Sequence, residues 1–250
     1  MFQLLNRLFI FSFTMAIVIS IAPAAFSFTT LPKGLNATDR ERMLEALGFG
    51  SAMKMLSSPY PLGGYSGVEV GLSSEYISMA DVAVLGAKTN SRSDLNYFNL
   101  TVGKGLYHNV DLLIQFIPMP QEESISGFGG QLRFGFYQAN FMPLNLSFVT
   151  SATSTNFYNL IGAETTGYDL VASVNMKDVS LFFGAGQARS SGTFIGGANG
   201  ITSSGTTENT NVSSPHTVFG ISIKMANVFL ALEVDRFVQS SYAGKLGLRF

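Results

Sequence analysis

Apolar and polar side chains alternate one by one in ten separate segments between residue 65 and the end of the chain. In the segment VEVGL, for example, Val68, Val70 and Leu72 share one face, and the residues between them share the other. A period of two residues indicates a β-strand with one apolar face. The quoted segments have five to nine residues, and with the residues that flank them they approach the roughly ten that a tilted transmembrane strand needs. The remaining nine are NYFNLTVGK, VDLLIQF, GGQLRFGF, LNLSF, YDLVASVNM, VSLFFGAG, TVFGISIK, VFLALEVD and YAGKLGLRF.

A soluble β-sandwich also alternates, but the polar face of these segments argues against one. That face carries Gly, Ser, Asn, Gln and charged residues instead of the second apolar layer that a sandwich core requires. A membrane barrel has the opposite need, and its sheet must close because lipid cannot hydrogen-bond to a free strand edge. The sequence therefore predicts an all-β fold: a closed antiparallel transmembrane β-barrel of about ten strands, within a range of about eight to twelve, with a short N-terminal helix.

The composition agrees with a membrane protein built from strands. Hydrophobic residues make up 46% of the chain and charged residues only 12%, which is about half of the usual charged fraction of a soluble domain. After residue 27, no apolar run reaches the roughly 18 residues of a transmembrane helix. The chain has no cysteine and a net charge of −1. Disulfides, thiol chemistry and a general attraction to nucleic acid are therefore excluded.

The predicted connections differ in length between the two rims of the barrel. Links after the second, fourth, sixth and eighth strands are short, whereas those after the first, third, fifth and seventh are longer. This asymmetry is typical of barrels with periplasmic turns and extracellular loops. The longest link, residues 190–215, is rich in Ser, Thr, Gly and Asn, and we expect a mobile extracellular loop there, with a specific receptor surface as the alternative.

The last predicted hairpin is short, and its loop must contain an odd number of residues to keep both apolar sets outside. A three-residue loop centred on Gln239 places Glu233 opposite Lys245. A loop centred on Ser240 places Asp235 there instead. Either register gives Lys245 an acidic partner on the neighbouring strand.

The beginning of the chain predicts export. Arg7 precedes an apolar run from Leu8 to Ile21, and the small-residue pattern APAA follows. This order is that of a secretory signal peptide, here residues 1–25, cleaved near Ala24–Ser27. An uncleaved membrane anchor is the alternative, but the run is short for the roughly 20 residues of a full span.

Residues 26–64 are predicted to form a helix and a linker that lead into the barrel, residues 65–250. Within residues 35–56, Thr38 and Glu41 have the spacing of a capping box. An apolar stripe follows, formed by Met43, Leu44 and Leu47. We expect a short helix that is periplasmic or packs at a rim, with a plug inside the lumen as the alternative.

The final strand directs Leu246, Leu248 and Phe250 towards lipid in this prediction. Here the chain resembles bacterial outer-membrane β-barrel proteins, whose last strand commonly ends in Phe. The resemblance covers roughly residues 65–250 and implies that Phe250 is an assembly signal. It also implies a place in the lipid bilayer of a Gram-negative outer membrane, with the barrel-assembly machinery and periplasmic chaperones as partners. The oligomeric state stays open.

The chain has no Trp, so Tyr and Phe must supply the aromatic belts at the two membrane surfaces. On the periplasmic side we expect Tyr65, Tyr107, Phe141 and Phe250. On the outer side we expect Tyr76, Tyr97, Phe237 and Tyr242.

Charged residues on the predicted inner face form a candidate lumen charge network. We expect them to pair with one another, because unpaired charge within a membrane is costly. A narrow conduit with charge selectivity, or a small porin-like transporter of small polar solutes, is the alternative. The predicted members are Glu69, Asp111, Arg133, Asp169, Lys224, Glu233, Asp235, Lys245 and Arg249.

The sequence offers little for catalysis. His108 falls in a predicted periplasmic turn, and His216 begins the eighth strand near the outer rim, where Asp235 or Glu75 could pair with it. Zinc-ligand spacing, a phosphate-binding loop and a dinucleotide fingerprint are all missing from the sequence. We therefore expect a structural, surface or narrow-channel role without enzyme activity, cofactor or metal. A hydrolase that uses the rim histidine is the remaining alternative.

Overall fold

The ten alternating segments form ten antiparallel strands that close into one barrel. The computed structural model describes residues 31–59, 61–87, 94–118 and 125–250. Each strand pairs with its neighbours in sequence, and the first pairs with the last, so the predicted fold class is confirmed. The strands are β1 (Val68–Ser78), β2 (Asp94–Tyr107), β3 (Val110–Phe116), β4 (Ile125–Gln138), β5 (Leu144–Phe157), β6 (Ile161–Met176), β7 (Val179–Phe194), β8 (Glu208–Met225), β9 (Val228–Arg236) and β10 (Ser240–Arg249).

The barrel closes between β1 and β10. Val70 lies opposite Leu248 and Leu72 lies opposite Leu246, so the apolar outer face continues across this seam. Val68 and Phe250 exchange two backbone hydrogen bonds of 3.0 and 2.9 Å. The seam therefore leaves no unpaired strand edge, as a barrel in lipid requires.

The alternation places apolar side chains on the outer wall. Leu72, Leu132 and Leu170 expose 46%, 40% and 56% of their surface, whereas the inward Glu69 and Arg133 expose 0% and 1%. This distribution is the reverse of that in a soluble domain, and so large an exposed apolar surface indicates contact with an apolar environment.

The two rims differ in the length of their links as the sequence predicts, at seven of the eight links from β1 to β9. We call one the short-turn rim, since its links span only residues 108–109, 139–143, 177–178 and 226–227. At the opposite rim, which we call the long-loop rim, the described residues of the links are 79–87, 117–118, 158–160, 195–207 and 237–239. The link between β5 and β6 is therefore short, and the expectation of a long link there is wrong.

The long loop predicted at residues 190–215 is also wrong in extent. β7 continues to Phe194 and β8 begins at Glu208, so the loop itself spans residues 195–207. Side chains bond across this outer part of the hairpin, with Ser191 Oγ 2.6 Å from Asn211 Oδ1 and similar pairing beyond it. β7 and β8 continue through this region without an apolar face. The alternation of apolar and polar residues in the sequence therefore ends before the strands do.

The register of the last hairpin differs from both predicted registers. Its three-residue loop is centred on Val238, which places Ala243 opposite Glu233 and Ala231 opposite Lys245. Lys245 instead has its acidic partner across the seam, because its Nζ lies 2.7 Å from Glu69 Oε1 on β1. Closure of the barrel makes β1 a second neighbour of β10, and a prediction based on the β9–β10 hairpin alone does not include it.

Helix α1 (Ala37–Gly50) precedes the barrel. Asn36 is its N-cap and forms a capping box with Asp39, so the predicted box of Thr38 and Glu41 is wrong. The predicted apolar stripe is buried against the inner wall of β6, β7, β8 and β1. Within the described residues, no helix is long and apolar enough to cross a membrane. The predicted signal peptide lies outside the described residues.

Two residues predicted for the outer aromatic belt lie inside the barrel instead. Tyr97 is buried, and its hydroxyl donates to Glu75 Oε2 at 2.6 Å. Phe237 stacks inside the long-loop rim, with its ring centre 4.8 Å from that of Phe49. Tyr76 and Tyr242 lie on the outer wall as expected, with ring centres 6.1 Å apart.

Candidate functional site in the barrel lumen

The N-terminal part of the chain runs along the barrel axis. We call residues 31–59 and 61–66 the lumen segment. At the long-loop rim, the Leu35 amide donates to the Ile201 carbonyl at 2.8 Å. At the short-turn rim, the Leu62 amide donates to Asp111 Oδ2 at 3.0 Å. Helix α1 therefore lies in the half of the lumen near the long loops, and the residues after it continue to the short-turn rim.

Lys54 carries the positive charge of the lumen segment into a group of wall acids. Its Nζ lies 3.3 Å from Asp235 Oδ2, and both side chains are almost fully buried. Asp235 Oδ1 in turn lies 2.8 Å from His216 Nδ1. On the other side of the ring, His216 Nε2 lies 2.8 Å from Asp169 Oδ1. One imidazole and one ammonium group thus lie against this pair of carboxylates.

An aromatic stack holds the His216 ring against helix α1. The imidazole lies parallel to Phe237 with a centroid distance of 4.2 Å, and Phe237 in turn stacks on Phe49 of the helix. Lys54 Nζ lies 5.6 Å from the centre of the Phe237 ring, within the range of a cation–π interaction. The histidine is therefore packed into the contact between helix and wall.

Two wall residues bind the backbone of the lumen segment directly after Lys54. Glu233 accepts hydrogen bonds from the amides of Met55 and Leu56 at 3.0 and 2.6 Å. Arg133 donates to the Met55 carbonyl at 2.5 Å and to Ser57 Oγ at 2.6 Å. An irregular backbone in a lumen needs such partners, because a buried amide or carbonyl without one is costly.

A second ion group lies at the seam near the short-turn rim. Glu69 of β1 receives Lys245 at 2.7 Å and Arg249 at 2.6 Å, both from β10. The carboxylate is fully buried, so the two cations satisfy both of its oxygens. These bonds join the two strands that close the barrel.

Most of the predicted network residues reach the lumen, but they form separate groups. Asp235 and Asp169 meet at His216, Glu233 and Arg133 hold the lumen segment, Asp111 binds Leu62, and Glu69 joins the seam. Lys224 does not join them, because it is exposed near the short-turn rim and belongs to none of the salt bridges found among the described residues. Phe250 lies on the outer wall with 62% of its surface exposed. Its role as an assembly signal stays a prediction.

Sequence reasoning missed Lys54 and misassigned Glu75. Lys54 lies in a segment without strand periodicity, so nothing in the pattern directs it towards the wall. Glu75 does not pair with His216; it accepts hydrogen bonds from Tyr97 and Asn99 at 2.6 and 2.5 Å. The predicted pair of His216 with Asp235 is present.

The surroundings of His216 leave little space for a substrate. The cavity beside it has a volume of about 20 Å³, enough for roughly one water molecule. Both ring nitrogens face carboxylates, and no hydroxyl group of a described residue is hydrogen-bonded to either of them. Among the described residues, no three His, Asp or Glu side chains are arranged to hold a metal ion. The group contacts the lumen segment through Lys54 and, by way of Phe237, through Phe49.

Comparison with protein-family profiles and with curated proteins gives no match. Among solved structures, the N-terminal β-barrel domain of Pseudomonas aeruginosa OprF is similar, with 11% identity over 75% of this chain and 99% of that chain and a TM-score of 0.36. The attachment invasion locus protein Ail of Yersinia pestis, in complex with the heparin analogue sucrose octasulfate, has 16% identity over 74% and 97%, with a TM-score of 0.29.

The outer membrane protease OmpT from Escherichia coli is also similar, with 9% identity over 74% of this chain and 96% of that chain and a TM-score of 0.34. Identities and scores this low give no information about function. A closed antiparallel barrel with an apolar outer wall is nevertheless the architecture of the small bacterial outer-membrane β-barrel proteins that the sequence resembles.

Proposed function

We propose that this chain is a non-catalytic, non-conducting barrel of the bacterial outer membrane, sealed by its own N-terminal segment. The apolar outer wall and the complete strand pairing support the membrane location, since both are what a bilayer requires of a spanning sheet. Outer-membrane barrels place their short turns in the periplasm and their long loops outside the cell. The short-turn rim of this barrel would therefore face the periplasm, and the long-loop rim would face outwards.

The observation that carries the proposal is the bonding of the lumen segment to the wall. Three charged wall residues form hydrogen bonds with backbone groups of Met55, Leu56 and Leu62. They are Glu233, Arg133 and Asp111. In an open pore such charges face water and select ions. Here they bind polypeptide, so the lumen is better suited to being filled than to conducting.

The cavities support the same conclusion. One cavity, of about 450 Å³, opens at the short-turn rim and is lined by Pro61 of the lumen segment and by His108. Further up the axis, the cavity beside His216 measures only about 20 Å³. A solute that enters from the short-turn rim therefore meets the lumen segment before it reaches the other side.

Conductance in a planar bilayer tests the seal. We expect refolded full-length protein to be silent and a variant lacking residues 37–62 to show discrete ion-sized steps. Migration of folded and boiled samples on a gel checks that the shortened barrel still folds. The double variant Lys54→Met/Glu233→Gln, which keeps the whole segment but loosens it, should show intermittent steps. Steady steps from the unaltered protein contradict the proposal and favour a narrow channel.

Spin labels test the membrane location, and the absence of cysteine makes single-cysteine labelling straightforward. Labels at Leu132 and Leu230, on the outer wall, should report lipid. Labels at Asn99 and Ser173, both buried on the inner wall, should report no contact with lipid. Water contact at both leucines means that the barrel is not inserted in a bilayer, and the location is then wrong.

The hydrolase alternative has one specific test. His216 would have to act near the long-loop rim, yet it is 9% exposed and lies beneath the Phe237–Phe49 stack. We expect lipid- and peptide-cleavage assays of the full-length protein to show no activity. Activity that disappears in His216→Ala, while the variant keeps its folded migration, would establish the enzyme instead.

A further inference from the structure

The lumen segment begins at the long-loop rim, and this position determines on which side of the membrane its first residues lie. Its first residues bond to loops of the long-loop rim: Leu35 bonds to Ile201 and Ser203, and the Lys33 carbonyl accepts from the Ala87 amide at 2.9 Å. Lys33 and Thr38 are exposed there. The segment is thus part of the loop layer before it enters the barrel.

The far end of the segment lies at the opposite rim. Tyr65 packs edge-on against Tyr107 with ring centres 6.2 Å apart, beside the turn that joins β2 and β3. β1 then begins at Val68. The chain therefore passes the full height of the barrel before its first strand forms.

The length of the segment is sufficient for this path. Helix α1 has 14 residues, which corresponds to about 21 Å at about 1.5 Å per residue. The stretch 51–63 reaches up to roughly 45 Å when extended. Together they exceed the roughly 30 Å of a bilayer's apolar layer, so the segment is long enough to cross it.

Specific contacts fix the upper end in place. Leu35, Leu44 and Ile201 belong to one buried apolar cluster that joins helix, loops and wall. Arg40 lies 3.7 Å from Glu208 at the start of β8, and Thr165 Oγ1 donates to the Gly48 carbonyl at 2.9 Å. These contacts bind the helix to the wall and to the loops, so it is not a loosely tethered periplasmic domain.

We infer that the barrel carries its own N-terminal segment through the outer membrane, so that residues 31–38 form part of the cell surface. A peptide joined in front of Leu31 would then be displayed outside the cell. This inference rests on the proposed function for the orientation of the barrel, but the path of the segment is a separate claim.

Single-cysteine labelling in intact Gram-negative cells tests the inference. Lys33→Cys and Thr38→Cys are treated with a membrane-impermeant maleimide before and after the outer membrane is permeabilised. Ser203→Cys marks the long-loop rim, and Asp178→Cys marks the short-turn rim; all four positions are exposed. We expect Lys33→Cys, Thr38→Cys and Ser203→Cys to react in intact cells, and Asp178→Cys to react at least tenfold more after permeabilisation.

The reference positions separate the two possible failures. If Ser203→Cys reacts in intact cells but Lys33→Cys and Thr38→Cys react only after permeabilisation, the threaded path is wrong and the orientation stands. If Asp178→Cys reacts in intact cells and Ser203→Cys does not, the orientation is wrong, and the surface location of residues 31–38 falls with it. Two sites in the segment ensure that one poorly folding variant does not decide the result.

Discussion

Glu233 Oε2 accepts a 2.6 Å hydrogen bond from the amide of Leu56, a residue held in the left-handed region with φ of 43°. A branched side chain rarely adopts this conformation without support from its surroundings. The carboxylate also receives the neighbouring amide of Met55. A wall acid that sequence reasoning assigns to charge pairing thus stabilises the backbone conformation of the lumen segment at Met55 and Leu56.

The variant Glu233→Gln should loosen the segment at this point. A carboxamide has one acceptor oxygen, and its NH₂ group faces an amide that it cannot bond, so at least one buried donor loses its partner. We expect a cost of about 1–3 kcal/mol, together with faster hydrogen exchange in residues 51–59. Glu164→Gln, an exposed position on the outer side of β6, is the matched control. Equal exchange in Glu233→Gln and the unaltered protein contradicts the assigned bonds.

Replacing Lys54 tests the ion group around His216. In Lys54→Met the ammonium group is lost while Asp235 and the nearby Glu75 stay buried, so we expect a loss of about 3–5 kcal/mol. Lys224→Met, which removes an exposed lysine outside the observed salt bridges, should change stability by less than about 0.5 kcal/mol. Denaturant titration in detergent measures both.

A double variant gives a second test of the ion group around His216. Adding Asp235→Asn to Lys54→Met should recover part of the loss, because the uncompensated carboxylate is then removed. If the two substitutions are simply additive, Lys54 and Asp235 are not coupled.

The alternation in the sequence is sufficient to predict the barrel, its outer wall and the strand count, because a period of two fixes which side chains face outwards. It also identifies nearly all of the wall charges that enter the lumen. What it does not contain is the identity of their partners. Glu69 and Lys245 are 176 residues apart, and only closure of the sheet brings them together.

The path of the lumen segment is the part of the fold that the sequence predicts least well, because its backbone bonds to side chains of the wall. Residues 51–59 have no regular secondary structure, and wall side chains, not their own backbone, satisfy several of their amides and carbonyls. No local periodicity encodes such bonds.

The seam should depend on Glu69. In Glu69→Gln, Lys245 and Arg249 lose their shared carboxylate while Lys245 stays buried, so the contact between β1 and β10 weakens by about 3–5 kcal/mol. The folded band on a gel should then disappear at a lower temperature than in the unaltered protein. Asp178→Asn, at an exposed position of the short-turn rim, should leave this temperature unchanged. An unchanged temperature in Glu69→Gln as well means that strand pairing alone holds the seam.

Gly220 of β8 provides a test of close packing inside the barrel. A Cβ atom added there would meet ring carbons of Phe182 on β7, a side chain that is only 1% exposed. The ring has no free space to move into, so we expect Gly220→Ala to cost about 1–3 kcal/mol, measured as the denaturant midpoint in detergent. Gly162→Ala is the matched control, because an added Cβ there meets no atom within 4 Å. The same Gly220→Ala substitution should cost less in a Phe182→Leu background, where the ring is absent. If the cost is the same in both backgrounds, the contact between Gly220 and Phe182 is not the cause.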